Sequence, residues 1–297
     1  MKNLLQPTLL ALSMAWSLSV NAQDSDFGVL VMAHGGPGEW NQGVLDTVAP
    51  LAETHNLEVA FGMADAVSLQ NAVTRLEQRG AERIAVVRLF ISGESWYERT
   101  EQILGIQEGA PQRQETDAHA GHGSDAGHMG HSMEFFRIDT DAEFALSKPG
   151  LAEAEEMAEV LLARATALSS NPAQEDILIL AHGPGDDAEN QRWLQFMNER
   201  TQLIRDTHAF RNVKVATLRE DWKDKREAAE QEVRDYVANA TATGGTAIVI
   251  PYRVHGFGPY AGVLEGLDYV SDGRGLIPHE GVTRWIEAQI ALLEKEL

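Results

Sequence analysis

The same strand-end motif occurs twice in this sequence, and the repeat limits the folds that the chain can adopt. The segments "FGVLVMAHGGPGEWNQ", residues 27–42, and "DILILAHGPGDDAENQ", residues 176–191, share an apolar run, Ala-His-Gly, Pro-Gly, an acidic residue and Asn-Gln. Farther along, "NLEVAFGM" resembles "NVKVATLRED", and "RIAVVRLFISGE" occupies the place of "TAIVIPYRVHG". We therefore predict an internal duplication that covers both halves of the chain.

The repeated segments predict an α/β fold. Runs of Val, Ile and Leu alternate with helical segments that end at Gly, which is typical of parallel sheets covered on both faces. Each half is predicted to form strand and helix four times, with "EFFRID", residues 134–139, as the fourth strand of the first half. We predict two tandem Rossmann-like domains, residues 23–170 and 171–297, joined within residues 169–174.

The first 22 residues are typical of a secretory signal. Lys2 precedes a mostly apolar run from Leu9 to Val20, and the small-residue pattern "VNA" ends at Ala22. We expect cleavage there and a soluble mature protein in the periplasm; the alternative is an uncleaved N-terminal anchor. The chain has no cysteine, so it has no disulfide, no thiolate metal site and no thiol nucleophile.

The charge of the chain bears on its partners. The formal net charge is −21 and no basic patch is evident, which argues against nucleic acid or an anionic membrane surface as a partner. The charge is compatible with cation binding, but a role in solubility alone is the simpler interpretation. Assembly into a homo-oligomer is also compatible with the sequence.

Three histidines follow predicted strands. His34 and His182 come directly after the first strand of each half, and His255 follows the third strand of the second half. Ligands of open α/β sheets bind beyond the carboxyl ends of the strands. In the alignment of the halves, Ser92 stands opposite His255, with Glu94 close by. Two imidazoles and a carboxylate suit a divalent transition metal, whereas a lone strand-end histidine is more often structural.

The glycines after His34 and His182 also suggest a phosphate-binding loop, and this is the weaker interpretation. Neither "HGGPGEW" nor "HGPGDDA" matches the dinucleotide or P-loop patterns. Glu39, Asp186 and Asp187 would repel phosphate and instead suit the positive end of a helix dipole.

A histidine-rich insert interrupts the first half at about residues 109–134. Its sequence "DAHAGHGSDAGHMGHSM" contains His119, His122, His128 and His131, with Gly and Ala between them. The second half has no counterpart. The composition predicts a flexible metal-binding tract for Co²⁺, Ni²⁺, Zn²⁺ or Cu²⁺, and the alternative is a loop with incidental histidines.

Taken in order, "VLVMAHG", "GAERIAVVRLF", "LILAHGPGDDAEN" and "PYRVHG" resemble the class II tetrapyrrole chelatases, specifically the sirohydrochlorin cobaltochelatases. The resemblance spans roughly residues 28–297. It implies two chelatase-like halves that bind a tetrapyrrole in the cleft between them. The implied reaction inserts a divalent metal ion as its substrate and needs no organic cofactor. Co²⁺ is the expected ion, and Ni²⁺, Fe²⁺ or Zn²⁺ are the alternatives.

The resemblance also implies roles for individual residues. His182 and His255 would position the metal, and one of them would also accept a proton. Glu94 would complete the set of metal ligands. His34 would be an auxiliary ligand or base. Three aromatic residues are expected either to stack on the macrocycle or to pack in the core: Trp96, Phe257 and Tyr260. The competing hypothesis is a non-enzymatic periplasmic metal- or haem-binding protein on the same fold.

Overall fold

The computed structural model describes residues 26–113 and 133–297, and strands and helices alternate through both halves. The strands are β1 (Phe27–Ala33), β2 (Leu57–Phe61), β3 (Arg83–Leu89), β4 (Glu143–Leu146), β5 (Glu175–Ala181), β6 (Asn212–Thr217) and β7 (Thr246–Pro251). The helices are α1 (Gly38–Ala52), α2 (Ala66–Gln78), α3 (Tyr97–Leu104), α4 (Met157–Leu168), α5 (Asp187–Arg200), α6 (Gln202–Thr207), α7 (Lys223–Ala242), α8 (Tyr260–Val263) and α9 (Glu280–Leu293).

The strands form two parallel sheets, which confirms the predicted fold class. One sheet has the order β2-β1-β3-β4 and the other the order β6-β5-β7. In each sheet the first and third strands of the half are therefore neighbours. A 3₁₀ turn at Pro172–Gln174 separates α4 from β5.

The predicted fourth strands are the main error in the predicted secondary structure. The segment "EFFRID" contributes only an isolated bridge between Gln112 and Arg137, and β4 begins after it, at Glu143. Phe136 and Ile138 are buried in the core beside α2, so apolar burial without ladder pairing explains their pattern. In the second half, the segment in the place of the fourth strand forms a single bridge within the described residues, between Val270 and Ile248 of β7.

Alternate residues of the central strands enter different cores. Val29 and Val31 of β1 face the middle of the molecule, whereas Leu30 and Met32 pack against α2. In β5 the residues Ile177 and Ile179 face the middle, and Leu178 and Leu180 pack on the side of α7. The two-residue period of a strand thus gives each sheet two apolar faces, and the inner faces share one core.

The last helix of each half packs against the other half. Helix α9 lies against β3 and α1, and α4 lies against α6 and β7. Across this middle layer, Arg164 donates to the Gly275 carbonyl oxygen at 3.2 Å, and Thr283 donates to the Thr47 carbonyl oxygen at 2.8 Å. The two sequence halves are therefore interlocked through a common core.

Two predicted features lie outside the described residues. They are the signal segment, residues 1–22, and the insert histidines His119, His122, His128 and His131. Within residues 26–113 and 133–297, no helix has the length and apolar character needed to span a membrane.

Candidate functional site

A cavity of about 730 Å³ opens beyond the carboxyl ends of the strands, where the two halves meet. Its volume falls within the range of small-molecule sites, about 300–1,000 Å³. Residues of both halves line it: His34, Trp40, Met63, Phe90, Ile91, Glu94, Ser95, Trp96, His182, Pro184, Gly185, Asp186, Glu189, Trp193, Glu220, Asp221, Trp222, Arg253 and Val254.

His34 and His182 reach this cavity by the same local structure. Each directly follows a fully buried strand, β1 or β5. Each is followed by a glycine with positive φ, 75° at Gly35 and 73° at Gly183, which turns the chain away from the sheet. The duplication therefore brings one imidazole from each half to a common wall.

The two imidazoles have different surroundings. Nδ1 of His34 lies 2.7 Å from the Gly35 carbonyl oxygen. Because a carbonyl only accepts, this bond places the proton on Nδ1 and leaves the Nε2 lone pair free. The His182 ring packs edge-on against Trp193, with centroids 4.9 Å apart.

The His182 imidazole is neutral at pH 7. Burial, followed by the positive charge of Arg253 and the neighbouring His34, lowers its pKa to about 4. Only the neutral imidazole offers a nitrogen lone pair to a metal ion. His182 is therefore a ready nitrogen donor in the cavity wall.

His255 lies behind this wall. Its ring is 5.7 Å from Trp40, and Trp40 is 5.6 Å from His34, so the indole is a neighbour of both histidines. Burial lowers the pKa of His255, with Glu39 acting in the opposite direction. His255 is not among the residues described as lining the cavity.

The backbone confirms that Ser92 and His255 are equivalent positions. In each half a returning segment donates two hydrogen bonds to the two carbonyls just before this position. They run from Leu151 and Ala152 to Phe90 and Ile91, and from Leu276 and Ile277 to Arg253 and Val254, at 2.8–3.0 Å.

Glu94 lines the cavity but is engaged in an ion pair. Its carboxylate accepts two hydrogen bonds from Arg192 of α5, at 2.9 and 2.8 Å. Among the described residues, no three His, Asp or Glu side chains are arranged to hold a metal ion. The predicted set of His182, His255 and Glu94 is thus not assembled here, because His255 packs against Gly43 and Trp40 instead of lining the cavity and Arg192 holds Glu94.

A buried arginine supports the turn that carries Glu94. Arg88, only 1% exposed, donates to the carbonyl oxygens of Gly93 at 2.5 Å and Ser95 at 2.7 Å, and its guanidinium lies over the Tyr97 ring. Burial lowers its pKa to about 10, so it remains charged at neutral pH. Trp96 follows in the left-handed region, with φ of 59°.

The three predicted aromatic residues lie in different places in the structure. Trp96 lines the cavity, whereas Phe257 and Tyr260 pack with Tyr269 in the core on the outer face of the second sheet. Sequence reasoning missed three further tryptophans of the cavity wall: Trp40, Trp193 and Trp222. Trp40 and Trp193 lie on helices that begin just after the repeated His-Gly motifs. This position beside the motifs was the sequence signal that could have identified them as cavity residues.

Glu189 is one of the cavity carboxylates that sequence reasoning missed, with Glu220 and Asp221. It accepts hydrogen bonds from Trp193 Nε1 at 3.2 Å and from the Ser92 hydroxyl at 3.3 Å, and so joins the halves at the cavity. Burial raises the pKa of Glu189, and the negative charge of Glu94 raises it further.

Comparison with known proteins identifies the fold. No protein-family model matches the sequence, and no curated protein matches it. Among solved structures, SirB from Bacillus subtilis with Fe³⁺ is similar over 90% of this chain and 94% of that chain, with a TM-score of 0.59 and 12% identity. The sirohydrochlorin chelatase SirB from Bacillus subtilis subspecies spizizenii, in complex with cobalt, covers the same shares, with a TM-score of 0.54 and 13% identity.

A multi-domain protein is also similar. DR2241 from Deinococcus radiodurans, described as structurally similar to chelatases, matches 90% of this chain and 55% of its own, with a TM-score of 0.53 and 18% identity. Together these likenesses define a class II chelatase-like fold with two parallel α/β halves. The cavity between the halves is its candidate site.

Proposed function

We propose that this chain is an exported metal chelatase that inserts a divalent metal ion into sirohydrochlorin or a related tetrapyrrole, with Co²⁺ as the preferred ion. One observation carries the proposal: imidazoles from both halves share a cavity with four tryptophans, Trp40, Trp96, Trp193 and Trp222. Aromatic walls suit a flat macrocycle, and imidazole nitrogens suit Co²⁺, Ni²⁺ or Fe²⁺. The SirB structures, one with Fe³⁺ and one with cobalt, support the choice of reaction.

The chemistry assigns distinct tasks to the residues. Insertion exchanges two pyrrole N–H protons for one M²⁺ ion. Neutral His182 supplies a nitrogen donor that holds the incoming ion, and Nε2 of His34 accepts a pyrrole proton or serves as a second donor. The family resemblance implies that Glu94 and His255 also contribute, and for Glu94 this requires release from Arg192. Water at the open mouth carries the second proton away.

The metallation assay tests this proposal. Purified protein is mixed with sirohydrochlorin and Co²⁺, and the absorbance change of metal insertion is followed against buffer. We expect His182→Ala and His34→Ala each to slow insertion by about 100-fold, the lower range for a lost acid–base group. His208→Ala is the matched control, because His208 bonds to Thr166 away from the cavity. No acceleration over buffer by the wild type overturns the chelatase.

The alternative function is binding of a metal ion or haem without catalysis. Its supporting observation is the wall of four tryptophans, which can hold a flat macrocycle whether or not a metal is inserted. This alternative predicts saturable quenching of tryptophan fluorescence by a tetrapyrrole with no rate enhancement of metallation. Measuring both quantities on one preparation separates the two functions.

Export and metal capture belong to the same proposal. The segment ending at Ala22 directs the chain to the periplasm, and we expect mass spectrometry of the exported protein to find Gln23 as its first residue. The insert histidines His119, His122, His128 and His131 capture the metal for delivery. Deleting residues 114–132 is expected to raise the Co²⁺ concentration needed for half-maximal rate and to leave the rate at saturating Co²⁺ unchanged.

A further inference from the structure

The two halves present different side chains to the cavity at one pair of equivalent positions. Phe90 in the first half and Arg253 in the second both line the cavity. They are equivalent because the carbonyl oxygen of each accepts a hydrogen bond from the returning segment of its half, at 2.9 Å for Phe90 and 2.8 Å for Arg253. The duplicated position thus gives the cavity a phenyl ring from one half and a guanidinium from the other.

The guanidinium of Arg253 is packed in a fixed place. Its Cζ atom lies 5.5 Å from the centre of the Tyr260 ring. Gly258 leaves room for it, since a Cβ atom added there would lie 2.8 Å from Cζ. Only 19% of the Arg253 side chain is exposed. Because the guanidinium is already restricted, it loses little conformational freedom when it binds a ligand.

The protein uses only part of the hydrogen-bonding capacity of this guanidinium. Arginine has five N–H donors. Within the described residues, Nη1 of Arg253 donates to Glu220 Oε1 at 2.6 Å, whereas Nε is buried without a hydrogen-bond partner. Buried polar groups are nearly always paired, so an unpartnered one calls for a physical reason. The pairing with Glu220 leaves donors for a second carboxylate, and such charge-assisted hydrogen bonds are strong.

Arg253 also lies close to the nitrogen donor of the cavity. It is the one Lys or Arg side chain among the described residues of the lining. Its positive charge is among the causes that lower the pKa of the His182 imidazole. The backbone N–H of Glu220 donates to the His182 carbonyl oxygen at 3.3 Å. A ligand held by Arg253 is therefore held beside the imidazole that the proposed metal insertion requires.

From this arrangement we propose that Arg253 recognises a peripheral carboxylate of the tetrapyrrole, sharing its guanidinium between that carboxylate and Glu220. The inference rests on the proposed function of the site and names the residue that selects its substrate. Sirohydrochlorin and related tetrapyrroles bear acetate and propionate groups on the ring edge, and a guanidinium matches the geometry of a carboxylate. The ring itself packs on the apolar lining, which includes Phe90 and the four tryptophans.

A porphyrin and its methyl ester test the inference, because esterification removes the carboxylate charges and leaves the ring unchanged. Metal-free coproporphyrin and coproporphyrin methyl ester are each titrated at sub-micromolar concentration in the same dilute non-ionic detergent. Binding is followed by tryptophan quenching and Soret absorbance. Protein variants are compared with one ligand at a time, which cancels the different solubility of the two compounds.

Two variants should change the affinity for the acid in opposite directions. Glu220→Gln removes the competing carboxylate but keeps an amide oxygen that can accept from Arg253. We expect this variant to bind the acid about 3-fold or more tightly than the wild type. Adding Arg253→Gln removes the guanidinium and leaves no unpaired charge. We expect the double variant to bind the acid about 10-fold or more weakly than Glu220→Gln alone.

The ester provides the internal control for both variants. We expect its affinity to change by less than about 2-fold in each, because it offers no carboxylate to Arg253. A merely structural role of the Arg253–Glu220 pair would instead weaken the binding of acid and ester together. The inference is wrong if Glu220→Gln does not tighten the binding of the acid, or if loss of Arg253 affects the ester as much as the acid.

A second ion pair controls for charge changes elsewhere on the protein. Lys214 and Glu232 pair at 2.7 Å between β6 and α7 and are not among the residues described as lining the cavity. The double variant Lys214→Gln with Glu232→Gln should leave both affinities unchanged. A loss of affinity for the acid as large as that caused by removing Arg253 would reveal a general charge effect and overturn the inference.

The inference and the proposed function fail in different ways. The binding series contains no metal ion, so it tests recognition by Arg253 alone. Metallation by Co²⁺ is then measured with the wild-type protein and sirohydrochlorin. Absence of metallation with the predicted changes in affinity overturns the chelatase and keeps the recognition by Arg253. Metallation by the wild type, with an affinity for the acid that does not depend on Arg253, keeps the chelatase and overturns the inference.

Discussion

The imidazole of His255 packs against Gly43, a helical residue of the other half. A Cβ atom added at Gly43 would lie 2.8 Å from His255 Cδ2 and 3.3 Å from its Nε2. The second-half histidine thus uses the space that this glycine leaves in α1. Its position beside Trp40 therefore depends on the contact between the halves.

Gly43→Ala is expected to destabilise the protein by displacing this imidazole. Alanine favours a helix by about 1 kcal/mol over glycine. Overpacking a fitted contact costs about 1–3 kcal/mol, which exceeds that gain. We expect a net loss of about 1 kcal/mol in the free energy of unfolding, measured by urea denaturation.

Two further variants control for this effect. Gly38→Ala, in the same helix, meets no atom within 4 Å and is expected to be neutral or slightly stabilising. His255→Ala removes the imidazole, so Gly43→Ala in that background should no longer cost stability. A loss that persists without the imidazole contradicts the proposed contact.

The sequence predicted the parts of the fold that depend on local pattern. Continuous apolar strands and glycine-terminated helices gave β1, β3, β5 and β7 and the two parallel sheets, and the duplication placed His34 and His182 at equivalent strand ends. Strand β4 was misplaced because "EFFRID" and the segment after it are both apolar enough to be strands. Pairing with β3 decides which of the two segments becomes the strand, and this pairing joins residues that are far apart in the sequence.

Long-range relations were beyond the sequence. The apolar faces of α4 and α9 can be buried by either sheet, and only the assembled core shows that they cross to the opposite half. The pairing of Glu94 with Arg192 joins residues 98 positions apart. Trp222 follows β6 with no periodic pattern to signal its place at the cavity mouth.

Tyr252→Phe is expected to weaken the connection between the halves. The fully buried hydroxyl of Tyr252 donates to the Leu151 carbonyl oxygen at 3.0 Å, which ties β7 to the segment that packs on the Ser92 turn. Removing it leaves the Leu151 carbonyl with the Ala154 N–H at 3.2 Å, so we expect the loss of one net hydrogen bond, about 0.5–1.5 kcal/mol. Thermal and urea unfolding measure the loss.

Tyr236→Phe provides the matched comparison. Its hydroxyl donates to the Ile177 carbonyl oxygen at 2.9 Å within the second half, and the residue is only partly buried. We expect a smaller loss than for Tyr252→Phe, because water can reach the partly buried Tyr236 side chain and so reduces the net contribution of its hydrogen bond. Equal losses would argue against a special role for the buried contact between halves.

The Glu94–Arg192 pair is expected to contribute little to stability. Both side chains are about half exposed, 54% and 47%, and exposed ion pairs contribute about 0.2–1 kcal/mol. A double-mutant cycle with Glu94→Gln and Arg192→Gln should give a coupling energy in that range at low salt, decreasing as salt screens the charges. A coupling above about 2 kcal/mol at high salt would show that the pair is a structural clamp.

The stability of the protein is expected to depend on pH through His279. Nδ1 of His279 accepts the Gly281 N–H at 3.0 Å and so caps α9, a role that requires the neutral ring. Burial lowers the pKa of His279 below its usual value, followed by the positive charge of Arg164. The other charges that act on it are Glu280, Arg284 and Glu159.

The direction of the effect follows from this lowered pKa. As pH falls below about 6.5 the unfolded chain takes up a proton that the folded chain resists, so this contribution to stability is complete above that pH and is lost below it. His279→Asn keeps the cap without titrating. Urea unfolding at pH 7.5 and pH 5 should therefore show a wild-type loss that exceeds the loss of His279→Asn by about 0.5–1 kcal/mol. Parallel losses in the two proteins would show that the cap does not titrate in this range, because the remaining histidines are common to both.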